Sequence, residues 1–122
     1  MQTALIIAIA LHALSGVFWA GSTFVLARTG GQGADRLRKP QMGAAGMAVL
    51  TGMVLGKLAH QGAFGSTEAV LAVGAVSAVV AGVVQFTTSR RGAQPGAVVV
   101  GQRIAAGLLA VAVLCMVVAR YV

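Results

Sequence analysis

The sequence is poor in charge and contains almost no acidic side chains. Only 9% of its 122 residues are charged, and Asp and Glu together number two, whereas about 25% of the residues of a typical soluble domain are charged. This composition excludes an ordinary soluble globular protein. The single cysteine, Cys115, excludes an intrachain disulfide. Aromatic residues make up 5% of the chain, so the basic residues lack the interleaved aromatics of a nucleic-acid surface, and we expect no nucleic-acid partner.

Several catalytic signatures are also missing from the sequence. It contains no G-x-S-x-G, H-E-x-x-H, C-x-x-C or P-loop pattern, so the reaction classes that depend on these patterns have no support. The first three residues carry no basic side chain, and the apolar run behind them is too long for a signal peptide. We therefore expect this run to be a retained first helix.

What the chain does contain is long apolar runs. Hydrophobic residues make up 58% of it and fall into four runs separated by short polar segments. Each run is long enough, at about 1.5 Å per residue, to cross a hydrocarbon core of ~30 Å. We expect a single domain, residues 1–122, folded as an all-α, up-down-up-down four-helix bundle that is integral to the membrane. The predicted helices cover about residues 3–27, 41–60, 67–88 and 97–121.

Helix-end signals are present at two of these boundaries. Pro40 is expected at the first position of the second helix, where its missing N–H leaves no hydrogen bond unmade. Ser66 or Thr67 can cap the third helix, and Glu68 suits the positive end of that helix dipole.

The basic residues of the loops predict the orientation of the bundle. The second loop has no Lys or Arg, whereas the first and third loops have several: Arg28, Arg36, Arg38 and Lys39 in the first, and Arg90 and Arg91 in the third, with Arg103 close behind. Because cytoplasmic loops carry an excess of Lys and Arg, we expect these two loops in the cytoplasm. Both termini are then outside, with the chain in the inner (cytoplasmic) membrane and the lipid bilayer as its main partner.

Small residues at four-residue spacing predict close helix packing. Gly52 and Gly56 form one such pair, and Gly74, Ala78 and Gly82 repeat the pattern on the third helix. We expect Gly52 and Gly56 at a helix–helix contact, within one protomer or between two. A bundle this small leaves much small-residue surface free, so we also expect a homodimer.

The most informative polar residue is His12, which lies roughly 13 Å along the first apolar run. An imidazole at that depth needs a partner, a water-filled cavity or a metal. His12, Ser15, Gly16, Trp19 and Thr23 share one helical face, so that face should contact protein. Three roles remain open for His12: a structural hydrogen bond to Ser15 or to another helix, a haem or metal ligand, and a proton relay.

A second group of candidate ligands lies in the outer half of the predicted helices. Met53, Lys57 and His60 share a face of the second helix, although Lys57 can simply extend to the lipid headgroups and His60 can simply end the helix. Met53, Cys115 and Met116 lie in the same half of the membrane as His12. Imidazole, thioether and thiolate together suit copper(I) or a haem iron. Ordinary apolar filling is the competing interpretation of the methionines.

The pair Leu11–His12, followed by Trp19 and Gly21, resembles the first helix of a superfamily of small four-helix membrane proteins. That superfamily includes the CopD-like copper-resistance domains and the HemJ-type protoporphyrinogen oxidases. The basic segment over residues 28–39 and the pair Thr51–Gly52 match the same pattern. The resemblance implies a four-helix bundle whose first-helix histidine ligates haem or a metal. Those families usually carry a lysine early in the third helix, where this chain has Ser-Thr-Glu-Ala, and Lys57 can replace it only if it faces the same site.

Two main hypotheses for function follow. In the first, the protein binds haem b in a redox or porphyrin-related role, with His12 as axial ligand and Ser15, Gly16 and Trp19 lining the macrocycle; Lys57 and His60 are further candidates for the cofactor site. Ser15 or a backbone carbonyl would fix the imidazole ring. The alternative is a copper-binding or copper-transporting protein that uses His12 with Met53, Cys115 or Met116. A non-catalytic membrane scaffold subunit is the third possibility, and whether the chain is an enzyme stays open.

Overall fold

The four predicted helices are present. The computed structural model describes residues 2–59, 65–90, 92 and 94–122. Those residues form α1 (Gln2–Arg28), α2 (Ala34–Ala59), α3 (Ser66–Thr88) and α4 (Pro95–Ala119), with no strand among them. The prediction of an all-α, up-down-up-down bundle is confirmed. Three of the helices, α1, α3 and α4, are long and apolar enough to cross a membrane, which indicates a membrane-embedded protein.

The second helix begins earlier than the sequence predicts. Pro40 lies inside α2, not at its first position, so the expectation that Pro40 opens this helix is wrong. Gly33 starts the helix: its φ of +83° ends the loop, and its carbonyl accepts the N–H groups of Arg36 and Leu37 at 3.1 Å each. Asp35 in the first turn adds a carboxylate at the positive end of the dipole.

This early start makes the first turns of α2 polar. Among the described residues α2 does not meet the criterion of length and apolarity that the other three helices satisfy, although the sequence predicts four spans. Every charged residue of α2 except Lys57 precedes Pro40, and the part of α2 after Pro40 is about 28 Å long at 1.5 Å per residue. That remainder packs lengthwise against α1.

The other helix starts differ in their caps. Pro95 occupies the first turn of α4, the position expected for a helix-opening proline. At α3 the N-cap is Gly65, not Ser66 or Thr67. The Gly65 N–H donates to Oε2 of Glu68 at 2.9 Å, so Glu68 closes the first turn of α3.

The bundle consists of two antiparallel hairpins joined mainly along one seam. α1 packs along α2 and α3 along α4; α1 also contacts α4, whereas α2 touches α3 only lightly. Most large apolar side chains point outward, as expected where lipid tails are as apolar as the protein core. The buried centre is instead built from small residues around one indole, listed as Trp19, Ala45, Ala48, Ala81, Ala105 and Leu109.

Glycine permits close approach at two of the helix seams. A Cβ atom on Gly74 would lie 2.9 Å from Cβ of Cys115, so α3 and α4 meet there almost backbone to backbone. A Cβ atom on Gly52 would lie 3.1 Å from Cε1 of His12. A Cβ atom on Gly56 would meet nothing within 4 Å. The expected contact is therefore confirmed for Gly52 and not found for Gly56 among the described residues.

One end of the core is polar. Gln41 of α2, Gln85 of α3 and Gln102 of α4 are each at most 1% exposed. Nε2 of Gln85 donates to Oε1 of Gln102 at 3.0 Å, and the amides of Gln41 and Gln102 exchange two longer bonds of 3.4 Å. From α1, the indole N–H of Trp19 donates to Oε1 of Gln85 at 2.5 Å, and Oγ1 of Thr23 accepts from Gln85 and Gln41 at 2.8 and 3.1 Å. We call these five residues the glutamine network; it connects all four helices.

The glutamine network predicts a large effect for one substitution. Gln85→Leu leaves the indole N–H of Trp19 without its acceptor and removes the shortest hydrogen bond of the Gln102 amide, and an unsatisfied buried polar group costs about 1–3 kcal/mol. We expect a lower melting temperature in detergent. Gln94→Leu is the matched control, because Gln94 is exposed and its side chain caps nothing. Equal melting temperatures for the two variants would contradict a stabilising role of the network.

The glycine contacts predict opposite signs for two alanine substitutions. Gly74→Ala forces α3 away from α4 at Cys115 and should destabilise the bundle. Gly56→Ala meets open space in a helix interior and should be neutral or stabilise by up to about 1 kcal/mol, since Ala is the better helix former. Thermal unfolding of both variants checks this. If Gly56→Ala proves the more damaging change, Gly56 lies in a contact beyond this single chain.

Candidate functional site

His12 faces the second helix and is anchored there by one ring nitrogen. The imidazole is half-buried, and its Nδ1 lies 2.9 Å from the carbonyl oxygen of Ala48 and 3.0 Å from Oγ1 of Thr51. A carbonyl oxygen can only accept, so Nδ1 must be the donor and carry a proton. In the neutral ring the other nitrogen, Nε2, then carries the lone pair.

Thr51 and Gly52 shape the position of this ring. The hydroxyl of Thr51 donates to the carbonyl of Met47 at 2.7 Å within its own helix, which leaves its oxygen able to accept from Nδ1 of His12. Gly52 provides the space for the ring edge, because a Cβ there would lie 3.1 Å from Cε1 of His12. Threonine therefore orients the imidazole and glycine gives it room.

Ser15 does not hold the ring. Its hydroxyl donates to the carbonyls of Leu11 and His12, at 2.7 and 3.2 Å, within its own helix. Of the two expected partners, Ser15 and a backbone carbonyl, the structure has the carbonyl, and it belongs to Ala48. Of the roles left open for His12, a hydrogen bond to another helix is the one that the geometry displays directly.

Trp19 and Gly16 have different surroundings although they share the face of His12. Trp19 is only 2% exposed, its N–H is bonded to Gln85, and its ring packs 3.6 Å from where a Cβ of Gly82 would lie. Trp19 therefore lies in the core of the bundle, and its expected contact with a macrocycle stays a prediction from sequence. Gly16, one turn along from His12, has open space: a Cβ there would meet nothing within 4 Å.

The shared face of α1 does contact protein, as the sequence predicts. Ser15, Trp19 and Thr23 are all buried, and His12 and Gly16 are half-buried. Thr23 donates to the carbonyl of Trp19 at 2.6 Å and accepts from two glutamines. This face thus divides into a His12 end, which contacts α2, and a Trp19–Thr23 end, which belongs to the glutamine network.

The second group of candidate ligands is spread over separate surfaces. Met53 is 60% exposed, Met116 is 46% exposed, and Lys57 is exposed in the last turn of α2. Cys115 is half-buried at the seam between α3 and α4, against Gly74. His60 lies outside the described residues. Within the described ranges no three His, Cys, Asp or Glu side chains are grouped to hold a metal ion.

Comparisons of the chain with models of known protein families, with curated proteins and with solved structures find no match. The resemblance to CopD-like and HemJ-type proteins therefore stays a resemblance of a few residues. Three of those residues, His12, Thr51 and Gly52, lie together at one contact between α1 and α2. A fourth, Trp19, belongs to the glutamine network instead.

Two features of this region are not predicted by sequence reasoning. The partner of His12 is the main-chain oxygen of Ala48, and no side-chain pattern identifies a backbone acceptor. Gln41, Gln85 and Gln102 lie one each on α2, α3 and α4, far apart in the chain, and no motif connects them. One sequence feature does point to the glutamine network. Each of its glutamines lies beside or within an apolar run, where a polar side chain needs a partner: Gln41, Gln85 and Gln102.

The arrangement at His12 has a limited chemical repertoire. An imidazole with Nδ1 fixed to a carbonyl offers Nε2 as a single metal ligand or as a proton acceptor. Neither role requires a second charged group, and the two hydrogen bonds that described residues make to the ring involve none. We refer below to His12, Ala48, Thr51 and Gly52 as the histidine site.

Proposed function

We propose that this membrane protein binds haem b, in a redox or porphyrin-related role, through Nε2 of His12. The observation that supports this most is the hydrogen bond from Nδ1 of His12 to the carbonyl of Ala48. Histidines that ligate metals usually donate their other ring N–H to a backbone carbonyl or a carboxylate, which fixes the tautomer and the ring orientation. The resemblance of Leu11–His12 and Thr51–Gly52 to families with a first-helix haem or metal ligand supports the same proposal.

The surroundings of His12 are compatible with a flat macrocycle on one side. Gly16 follows His12 by one turn and has no neighbour where its Cβ would be. No side chain therefore protrudes from α1 at that point. When bound, haem supplies one-electron chemistry at its iron. Trp19 and Lys57 have no part in this proposal, because one is buried in the core and the other is exposed at the end of α2.

The chain's own contribution is positioning. Ala48 and Thr51 hold the imidazole in one tautomer and one orientation, and Gly52 lets the ring lie close to α2. A fixed imidazole loses little freedom when it binds a ligand, because that freedom has already been lost on folding. Partners of this kind typically change metal affinity 10–100-fold.

The main competing hypothesis is a purely structural histidine in a scaffold subunit. The same two hydrogen bonds connect α1 to α2 and would exist in such a protein. A copper site is not proposed, because Met53, Cys115 and Met116 are distributed over different surfaces. The homodimer stays a prediction from sequence.

The proposal includes an orientation. The basic loops mark one end of the bundle as cytoplasmic by the excess of Lys and Arg, which would place the histidine site in the outer half of the inner membrane. Both termini would then face outward.

The visible spectrum of purified protein, expressed with haem supplied, tests the proposal. Wild type should show a Soret band. His12→Leu fills the space of the ring but cannot ligate, and should give a folded protein without haem. Thr51→Val removes one hydrogen bond at nearly constant volume and should weaken haem binding about tenfold.

Met53→Leu is the control, since this exposed methionine should not contribute to ligation. Wild type without haem, or a His12→Leu variant that keeps its full haem content, would contradict the proposal. A melting temperature of His12→Leu equal to that of wild type, with no haem in either, would support the structural alternative, since replacing a buried polar group by an apolar one of similar size can be nearly neutral.

A further inference from the structure

Basic side chains from both hairpins gather at one end of the bundle. Arg103 donates from Nε to the carbonyl of Ala27 at 3.4 Å, which brings the first turns of α4 beside the end of α1. The loop between α1 and α2 rests on the same turns, because a Cβ on Gly31 would lie 3.4 Å from Cγ2 of Val99. We call this surface the basic end; its described basic residues are Arg28, Arg36, Arg38, Lys39, Arg90 and Arg103.

The charge of the basic end is nearly all of one sign. Asp35 is the single acidic residue of the chain at this end, since Glu68 lies in the first turn of α3 at the opposite end. Five of its six described basic residues are exposed, and Arg38 is half-buried. Lys57 and Arg120 are also exposed but lie at the opposite end, near the end of α2 and after α4.

The position of these charges along the helices places them at headgroup level. α1, which is apolar enough to cross a membrane, ends at Arg28, and α3 ends at Thr88 just before Arg90. The first turns of α2 precede Pro40 and carry Arg36, Arg38 and Lys39. Because α2 starts this early, the three side chains are held on a helix directly beside the apolar region.

We propose that the basic end is a binding surface for anionic phospholipid headgroups, with Arg36, Arg38 and Lys39 as its principal contacts. Clusters of Lys and Arg next to a membrane-spanning helix bind anionic lipids, with about a fivefold gain in affinity for each basic residue near the surface. Lipid phosphates are the anions that a membrane-embedded protein meets at this depth. This inference goes beyond haem binding and does not depend on it.

Native mass spectrometry of the full chain in detergent, titrated with phosphatidylglycerol or phosphatidylcholine, tests the proposal. Wild type should bind phosphatidylglycerol more tightly, and the preference should fall at high salt. The variant R36Q/R38Q/K39Q should bind phosphatidylglycerol about a hundredfold more weakly, from three fivefold losses. R36K/R38K keeps the charge and should bind as wild type does.

The matched control is K57Q/R120Q, which removes two exposed charges from the opposite end and should leave binding unchanged. Equal affinity of wild type and R36Q/R38Q/K39Q would overturn the proposal, as would an equal loss in the control. Competition by inorganic phosphate at similar concentrations would also overturn it, since that result indicates a site for free anions. Circular dichroism checks that the triple variant folds; if it does not, a wild-type preference that is insensitive to salt contradicts the proposal.

Discussion

Three glutamine side chains buried among apolar helices must satisfy their amides without water, and in this protein they do so through one another. Gln41, Gln85 and Gln102 come from α2, α3 and α4, and Trp19 and Thr23 complete the set from α1. Each helix therefore has one rotation and one axial position that satisfy the network. A helix that rotates or shifts away from this position leaves a buried donor or acceptor unpaired, at a cost of about 1–3 kcal/mol. The surrounding alanines contribute little shape specificity of their own, so the hydrogen bonds set the register.

The histidine site depends on this register. Trp19 and Thr23 fix the rotation of α1, and His12 lies two turns before Trp19 on the same face. With that rotation fixed, the imidazole faces Ala48, Thr51 and Gly52 on α2 and not lipid. The glutamine network and the histidine site thus have different roles at different positions along one face of α1. The network holds the helices together near the basic end, and the histidine site holds one ring nitrogen and leaves the lone pair of the other outside these two hydrogen bonds.

The general fold is predictable from sequence because hydropathy and length alone predict four long helices. That His12 contacts another part of the protein is also predictable, since a lone imidazole in an apolar run needs a partner. Predictions of individual contacts are wrong or missing where no sequence pattern identifies the hydrogen-bond partner. Ala48 contributes a main-chain oxygen, and the glutamines are far apart in the chain. Pro40 suggests a helix start, but Gly33 accepts the first N–H groups and starts α2 earlier. Trp19 looks like a site residue because of its helical face, although the amide of Gln85 satisfies it.

If His12 is held through Nδ1, the lone pair of Nε2 is left for a ligand, and the tautomer of the imidazole ring can be measured. Solid-state nitrogen-15 NMR of protein labelled at histidine, prepared without haem and with His60→Gln to leave a single imidazole, reports which ring nitrogen carries the proton. We expect a protonated Nδ1 and an unprotonated Nε2, because the carbonyl of Ala48 can only accept. A ring protonated at Nε2 with a bare Nδ1 would contradict it.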